Sequence, residues 1–225
     1  MRGIRKAFGA TRAVDGVDLS VSPGEVCALV GQNGAGKSTL MSILAGALRP
    51  DAGEMRIDGA PFHPHQPLDA RRAGVTMIHQ ELSLAPHLTV MENIVLGDEP
   101  SRRAIVQWSA IRERARVALE RLGRADIPPE APVERLSVAA QQMVEIARAL
   151  ATGARVMVMD EPTSSLGRDD TRRLFEVIAQ LTRGGHAVVY ISHFIEEVKE
   201  IADRIVVLRD GRVAATLPAA APARA

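Results

Sequence analysis

Cysteine is almost missing from this 225-residue chain, and Cys27 is the only one. No intrachain disulfide can form, and nothing points to an oxidising compartment. Cys27 sits in the apolar stretch "EVCALVG", where a small buried hydrophobe is the expected role. A redox or nucleophilic role would need a partner residue, and none is evident. Net charge is nearly missing too: 28 Lys and Arg against 27 Asp and Glu leave a formal +1. That balance gives no bulk electrostatic case for nucleic acid or an anionic membrane surface, so any bound anion must be held by local geometry. No apolar run approaches the roughly 20 residues that span a bilayer. The start, "MRGIRKAF", lacks the apolar core of a signal peptide. No internal repeat is visible. Together these absences predict a soluble, intracellular chain. Its length and its 46% hydrophobic content suffice for one large domain, or a core with a smaller lobe.

What is present is alternation. Short apolar runs at Val26–Val30, Val75–Ile78, Val156–Met159, Ala187–Ile191 and Ile205–Leu208 predict buried strands. Between them lie segments of helical period, such as Asp169–Arg183 with Leu174, Val177, Ile178 and Leu181 on one face. Strands alternating with helices predict an α/β fold with a mixed, mainly parallel sheet. Asp58-Gly59 and Asp210-Gly211 predict tight hairpins, hence an antiparallel β part. Ser22-Pro23-Gly24-Glu25 has the residues of a type II turn just before the first buried strand. Residues 81–150 differ, with helical periodicity, few strand-like runs and prolines at 86, 100, 128, 129 and 132. The expected layout is an α/β core over 1–80 and 151–216 and an inserted helical part over 81–150. A low-complexity tail, 217–225 ("LPAAAPARA"), is expected to be disordered.

One loop carries a specific chemistry. "LVGQNGAGKSTLMSILAG" places Gly31-x-x-x-x-Gly36-Lys37-Ser38 after a buried strand and before a helix, which is the context a phosphate-binding P-loop requires. Its glycines let successive backbone N–H groups turn toward phosphate oxygens, and the helix N-terminus adds favourable partial charge. Lys37 is expected to reach the β- and γ-phosphates and Ser38 to ligate Mg²⁺. Asn33, Gly34 and Thr39 complete the cofactor-binding candidates beside Gly31, Gly36, Lys37 and Ser38. "RVMVMDEPTSSL" adds a second part: four apolar residues end in Asp160, at the edge of a buried strand where α/β ligands bind. Asp160 is expected to hold Mg²⁺ through water, and Glu161 to orient and deprotonate the attacking water. A strand end with two solvated acids is common by itself, but far downstream of a P-loop it is the weaker reading.

Together these residues resemble the nucleotide-binding domain of ABC transporters, a P-loop NTPase fold, over nearly the whole chain. The resemblance implies further roles. Phe8, in "KAFGATRAV", stands 29 residues before Lys37 and matches the aromatic that stacks on adenine. Gln80, in "MIHQELSLAPHLTVMENI", matches the glutamine that contacts Mg²⁺ and the attacking water, and the segment after it matches the groove that receives a transmembrane partner. His193, in "YISHFIEEV", matches the histidine that contacts the γ-phosphate. The family signature Leu-Ser-Gly-Gly-Gln is replaced here by Leu136-Ser137-Val138-Ala139-Ala140. Ser137 is a good N-cap in its own right. By resemblance it also faces, in trans, the γ-phosphate held by another subunit's P-loop. Val138 and Ala139 keep their N–H groups but lose access to positive φ, which weakens this half if the site needs that geometry. After Leu166 the family commonly carries Asp, whereas this chain has Gly167.

Longer phrases, among them "HQELSL", "ENIVLG", "QQMVEIARAL" and "ADRIVVLRDG", are similar to the ATPases of bacterial ribose, galactose and xylose importers. The resemblance implies a subunit on the cytoplasmic face of the cell membrane that binds and hydrolyses ATP with Mg²⁺ to energise import of a monosaccharide. Its implied partners are transmembrane permease subunits, a second nucleotide-binding domain and, indirectly, a periplasmic or extracellular sugar-binding protein, with no nucleic acid. Such importer ATPases resemble two fused domains, and this chain carries the equivalent of the first, starting where a preceding edge strand is expected. A non-catalytic or truncated half that needs a second domain is the alternative. Soluble relatives acting on DNA or ribosomes are disfavoured, because heptads, paired cysteines and a charged linker are all lacking.

Two weaker signals remain. His63 and His65 in "PFHPHQP" suggest metal, but no acid is near before Asp69 and the flanking prolines suggest a rigid loop. The arginine-rich "AIRERARVALERLG" interleaves glutamates, while Ile111, Ala115, Leu119 and Leu122 define a core face, which predicts a salt-bridged surface helix.

Overall fold

Residues 1–102 and 105–219 are described by the computed structural model. The chain opens with β1 (Arg2–Phe8) and β2 (Thr11–Val17), an antiparallel pair. A turn closed by Glu25 N–H to Ser22 O at 3.1 Å then launches β3 (Val26–Val30), whose five residues are all buried. The P-loop follows and runs into α1 (Lys37–Leu44). β4 (Ala52–Glu54) returns to pair with β1, and β5 (Arg56–Ile57) and β6 (Ala60–Pro61) form a hairpin on Asp58-Gly59. Asp58 has φ 51, the positive value a tight two-residue hairpin turn demands and Asp tolerates. α2 (Pro67–Arg72) is capped by Gln66 and Asp69, and leads to β7 (Val75–Ile78).

The middle of the chain is mainly helical. It contains α3 (Val90–Val95), the short antiparallel pair β8 (Ser101–Arg102) and β9 (Ile105–Val106), α4 (Trp108–Glu120) and α5 (Val138–Ala151). Thr89 and Glu92 form a reciprocal cap at the start of α3, satisfying donors that would otherwise be orphaned. α4 buries Ile111, Ala115, Ala118 and Leu119, while Arg116 pairs with Glu113 and Glu120 on its outer face. The interleaved charges therefore solvate the surface, and the apolar stripe makes the core.

The chain then returns to strand–helix alternation with β10 (Val156–Asp160), α6 (Arg168–Arg183), β11 (Ala187–Ile191), α7 (Ile195–Ile201), β12 (Arg204–Arg209) and β13 (Arg212–Pro218). The large sheet has the order β13-β12-β3-β11-β10-β7. It is parallel from β12 to β7, with β13 antiparallel at its edge. A separate antiparallel sheet has the order β2-β1-β4. The fold is thus the expected P-loop NTPase type with a mixed sheet and helical additions. One buried cluster joins Met157, Met159, Val188 and Tyr190 of the sheet to Ile94, Leu119, Val144 and Ile146 of the helices. A second cluster packs α1, β1 and β2 against Cys27, Leu29, Val158 and Val189. At about 1.5–3 kcal/mol for each large apolar side chain removed from water, these two clusters hold the layers together.

One expected boundary is corrected. Leu217 and Pro218 do not start a tail, because both lie in β13, opposite Ile205 and Arg204, and Ala219 N–H donates to Asp203 O at 3.0 Å. Backbone pairing needs no distinctive side chains, so a low-complexity sequence can carry it. The rest of the expected tail, 220–225, lies outside the described residues. Among the described residues no helix is long and apolar enough to cross a membrane.

Candidate functional site

The loop between β3 and α1 is shaped by two close approaches. A Cβ at Gly36 would stand 2.3 Å from Ala13 O, and Gly36 has φ 100; a Cβ at Gly31 would stand 2.4 Å from Leu208 O. Only glycine fits either place. Gly36 is also the N-cap of α1 and supplies no side-chain bond, so the first-turn N–H groups of Lys37, Ser38 and Thr39 remain available to an anion. Lys37 is only 9% exposed, and its ammonium donates to Gly31 O at 2.6 Å and Gln32 O at 3.1 Å. An ammonium so enclosed is held beside the loop and is desolvated, which strengthens its attraction for a phosphate.

Above this loop is a cleft of about 500 Å³ lined by Phe8, Ala13, Asn33, Gly34, Gly36, Lys37, Ser38, Thr39, Gln80, Asp160 and Glu161. That volume is in the range of small-molecule sites. Phe8 ends β1 with its ring 49% exposed, and the Lys6 ammonium lies 5.8 Å from the ring centre. Gln80 follows β7 and is exposed. Asp160 is the last residue of β10 and pairs in register with Ile191, the last residue of β11, so the carboxyl ends of the central strands converge here. Burial pushes the Asp160 carboxyl above its ordinary range, and the neighbouring Glu161 charge adds to this, opposed by His79 and Lys37. A cation beside it would reverse both penalties.

Glu161 adopts φ 46, a left-handed conformation that is costly for a residue with a Cβ. Its N–H donates to Ile191 O at 2.9 Å, and its Oε1 meets His193 Nδ1 at 2.9 Å. The His193 ring lies against Phe194 with 4.0 Å between centres. The structure therefore brings Phe8, Asn33, Gly34, Gly36, Lys37, Ser38, Thr39, Gln80, Asp160 and Glu161 to one cleft, with Gly31 at the root of the loop and His193 joined through Glu161.

Ser137 is not among the residues lining that cleft. It caps α5, its Oγ accepting from Ala140 N–H at 3.3 Å. Val138 and Ala139 are the first two residues of α5, and neither has positive φ. The backbone here thus has no need of glycine; what differs from the usual signature is the Val138 side chain, 45% exposed at the helix tip.

Sequence reasoning passed over two features. Ala13 lines the cleft through backbone packed on Gly36, a contribution that leaves no side-chain signal. A second feature ties α5 to the segment after Gln80: Glu145 Oε1 accepts from Ser83 N–H at 2.8 Å, and Arg148 donates to Ser83 O at 3.2 Å. Burial pushes the Glu145 carboxyl up. Glu145 and Arg148 stand three residues apart on α5, and it is the fold that brings both to the backbone of Ser83. His63 and His65 are exposed, and Asp69 accepts from the N–H groups of His65 and Gln66 as the cap of α2.

Comparison with known proteins places this geometry. Residues 14–164 match the model of the ABC transporter family. The ribose import ATP-binding protein RbsA of Chromobacterium violaceum is 52% identical over 211 residues, covering 94% of this chain and 42% of that protein. A putative ribose/galactose/methyl galactoside import ATP-binding protein of Burkholderia ambifaria is 50% identical over 216 residues, covering 96% of this chain and 42% of that protein. The chain thus spans less than half the length of these relatives. Among solved structures, a nucleotide-free ATP-binding cassette from an ABC transporter superposes with a TM-score of 0.87 at 26% identity, covering 97% of this chain and 90% of that one. A dimeric cassette in a post-hydrolysis state, bound to ADP and Pi, gives 0.80 at 26% identity, with 97% of both chains covered. By its sequence, its fold and its P-loop, the chain belongs to the ABC transporter family as an ATP-binding domain, homologous to the RbsA-type ATPases.

Proposed function

We propose that this chain binds MgATP and hydrolyses it to energise the import of a monosaccharide. The observation that carries the reading is the single cleft in which Lys37, Ser38, Asp160 and Glu161 meet, with His193 held on Glu161. Phe8 stacks on the base, and Asn33, Gly34, Gly36 and Thr39, with Gly31 below them, cradle the phosphates through backbone N–H groups and the α1 terminus. Ser38 Oγ, the Gln80 amide oxygen and the Asp160 carboxylate are hard oxygen donors, a set that suits Mg²⁺. Bound there, Mg²⁺ neutralises phosphate charge and offsets the cost of an ionised, half-buried Asp160. Lys37 adds a desolvated positive charge at the transferred phosphoryl group. Glu161 takes a proton from the attacking water, and His193 holds the Glu161 carboxylate and contacts the γ-phosphate. Little covalent chemistry is asked of the protein, so positioning and charge supply most of the acceleration.

In this reading residues 1–80 and 151–218 form the ATP-binding core, and residues 81–150 the part that carries Ser137. Ser137 acts in trans: its hydroxyl and the α5 terminus face a nucleotide held by a second nucleotide-binding domain. The dimeric state of the similar cassette supports such pairing. Transmembrane permease subunits dock after Gln80 at the cytoplasmic face of the membrane and connect to an external sugar-binding protein, as the ribose and galactose importer names of the relatives suggest. A second reading, ATP binding without turnover by this chain alone, is favoured by Val138 at the helix tip.

Turnover of MgATP by the parent chain separates the two, and Glu161→Gln then assigns it. Turnover is expected to fall on the order of 10²–10⁴-fold, the usual worth of a general base, while nucleotide binding is kept. Hydrolysis by Glu161→Gln at the unaltered rate would remove Glu161 from the chemistry.

A further inference from the structure

Outside the cleft, one carboxylate oxygen gathers three hydroxyl groups. Glu197 Oε2 accepts from Tyr190 Oη at 2.8 Å, Thr163 Oγ1 at 2.9 Å and Ser192 Oγ at 3.1 Å. The donors come from separate stretches of chain. Thr163 lies two residues beyond Glu161, Tyr190 lies in β11, and Ser192 directly precedes His193. All three are buried, at 6%, 0% and 1% exposure. Glu197 itself belongs to α7. Ser192 Oγ also accepts from Phe194 N–H at 3.0 Å, so its hydroxyl bridges the backbone on either side of His193.

Each hydroxyl has one proton to donate, and the same oxygen lies within hydrogen-bond distance of all three. Three donors sharing one acceptor oxygen make this arrangement a staple. Tyr190 also packs edge-on to Phe175, with ring centres 6.2 Å apart, so its hydroxyl has little freedom to move away. The staple joins the loop after β10 to the loop after β11. Those two loops bear Glu161 and His193, and the 2.9 Å bond between them depends on their mutual spacing. Glu161 needs such support, because its φ of 46 persists only where the surroundings hold it.

We propose that Glu197 is a positioning residue of the hydrolytic site, setting the spacing of Glu161 and His193 through Thr163 and Ser192. The proposal rests on the hydrolysis reading above and adds a residue to it. Glu197 does not line the cleft; it acts through the two loops.

The test uses the full chain with Glu197→Ala, Glu197→Gln and, as a control, Glu196→Ala, an exposed neighbour on the same helix. For Glu197→Ala, kcat is expected to fall on the order of 10–100-fold, the cost of a displacement near 1 Å at reacting groups. KM for MgATP stays within about twofold, because the groups that bind phosphate are untouched. Glu197→Gln keeps a carbonyl oxygen in place and restores most of kcat, and Glu196→Ala is unchanged. A second readout needs no hydrolysis: the imidazole ¹⁵N resonances of His193 in Glu197→Ala move toward those of Glu161→Ala. Should Glu197→Ala not fold, Thr163→Val and Ser192→Ala each remove one donor and carry both readouts. Unaltered His193 resonances together with unaltered kcat overturn the proposal, as does a loss of kcat that merely tracks the loss of folded protein. If no variant, nor the parent chain, hydrolyses ATP, the hydrolysis reading fails separately and the His193 resonances alone decide the positioning claim.

Discussion

Asp160, at the end of β10, is a carboxylate for which burial makes ionisation costly. Its carboxyl is pushed above the ordinary range chiefly by burial, so the folded chain holds the proton more tightly than the unfolded chain does. The site therefore favours folding at low pH, loses that advantage as pH rises between the unfolded and folded pKa values, and costs stability throughout the neutral range. Asp160→Asn removes the charge with little change of shape. Its melting temperature without nucleotide is expected to rise at pH 7 and to match that of the parent chain near pH 3, while the added stabilisation by Mg²⁺ with ATP is lost. Thermal scans across pH check this, and a lowered melting temperature at pH 7 would show that burial is not what governs this carboxyl. Cys27 gives the contrasting case: it is fully buried, its thiol pushed up to about 11, and it sits inside β3 as the small hydrophobe its apolar neighbours implied. At this scale the sequence made Lys37, Ser38, Asp160 and Glu161 legible because each lies in a local motif. Glu197 was not legible, because its partners at 163, 190 and 192 converge only after two parallel strands are laid side by side.

Among the elements, the strands with long apolar runs were readable and the short ones were not. β3, β7, β10, β11 and β12 cover the five apolar runs, since strands inside a sheet packed on both faces are mostly apolar. β8 and β9 have two residues each and no such constraint, so nothing in their composition marks them. The boundary at Leu217 failed for a related reason: β13 is an edge strand with small residues, and its pairing with β12 is a property of the backbone. α1 and its loop make a sharper prediction. Gly36→Ala forces a Cβ to within 2.3 Å of Ala13 O at a φ no alanine favours. Because a backbone atom cannot yield cheaply, the loop must shift. Nucleotide affinity is expected to fall on the order of 100-fold, as several phosphate contacts loosen together, with the core strands retained. Titration with a fluorescent ATP analogue and circular dichroism measure the two parts; unaltered affinity would mean the loop does not cradle phosphate.

At the level of the whole molecule, the proposed parts of one nucleotide site are divided. The cleft gathers the P-loop, Asp160, Glu161 and Gln80, with His193 on Glu161, while Ser137 caps a helix whose tip contributes nothing to that cleft. This division gives physical sense to a second nucleotide-binding domain, whose helix terminus would close the open side of the cleft. The relatives are more than twice as long as the stretch they share with this chain, which leaves room in them for such a domain. Sequence spacing could order the motifs along the chain, but only the fold separates those that meet within it from the one that does not. The most direct measurement is MgATP hydrolysis per chain over a wide range of protein concentration. The expected result is a rate per chain that rises with concentration, as two chains pair and each lends its Ser137 terminus to the other. A rate per chain that stays flat across the whole range, at zero or at any other value, contradicts it.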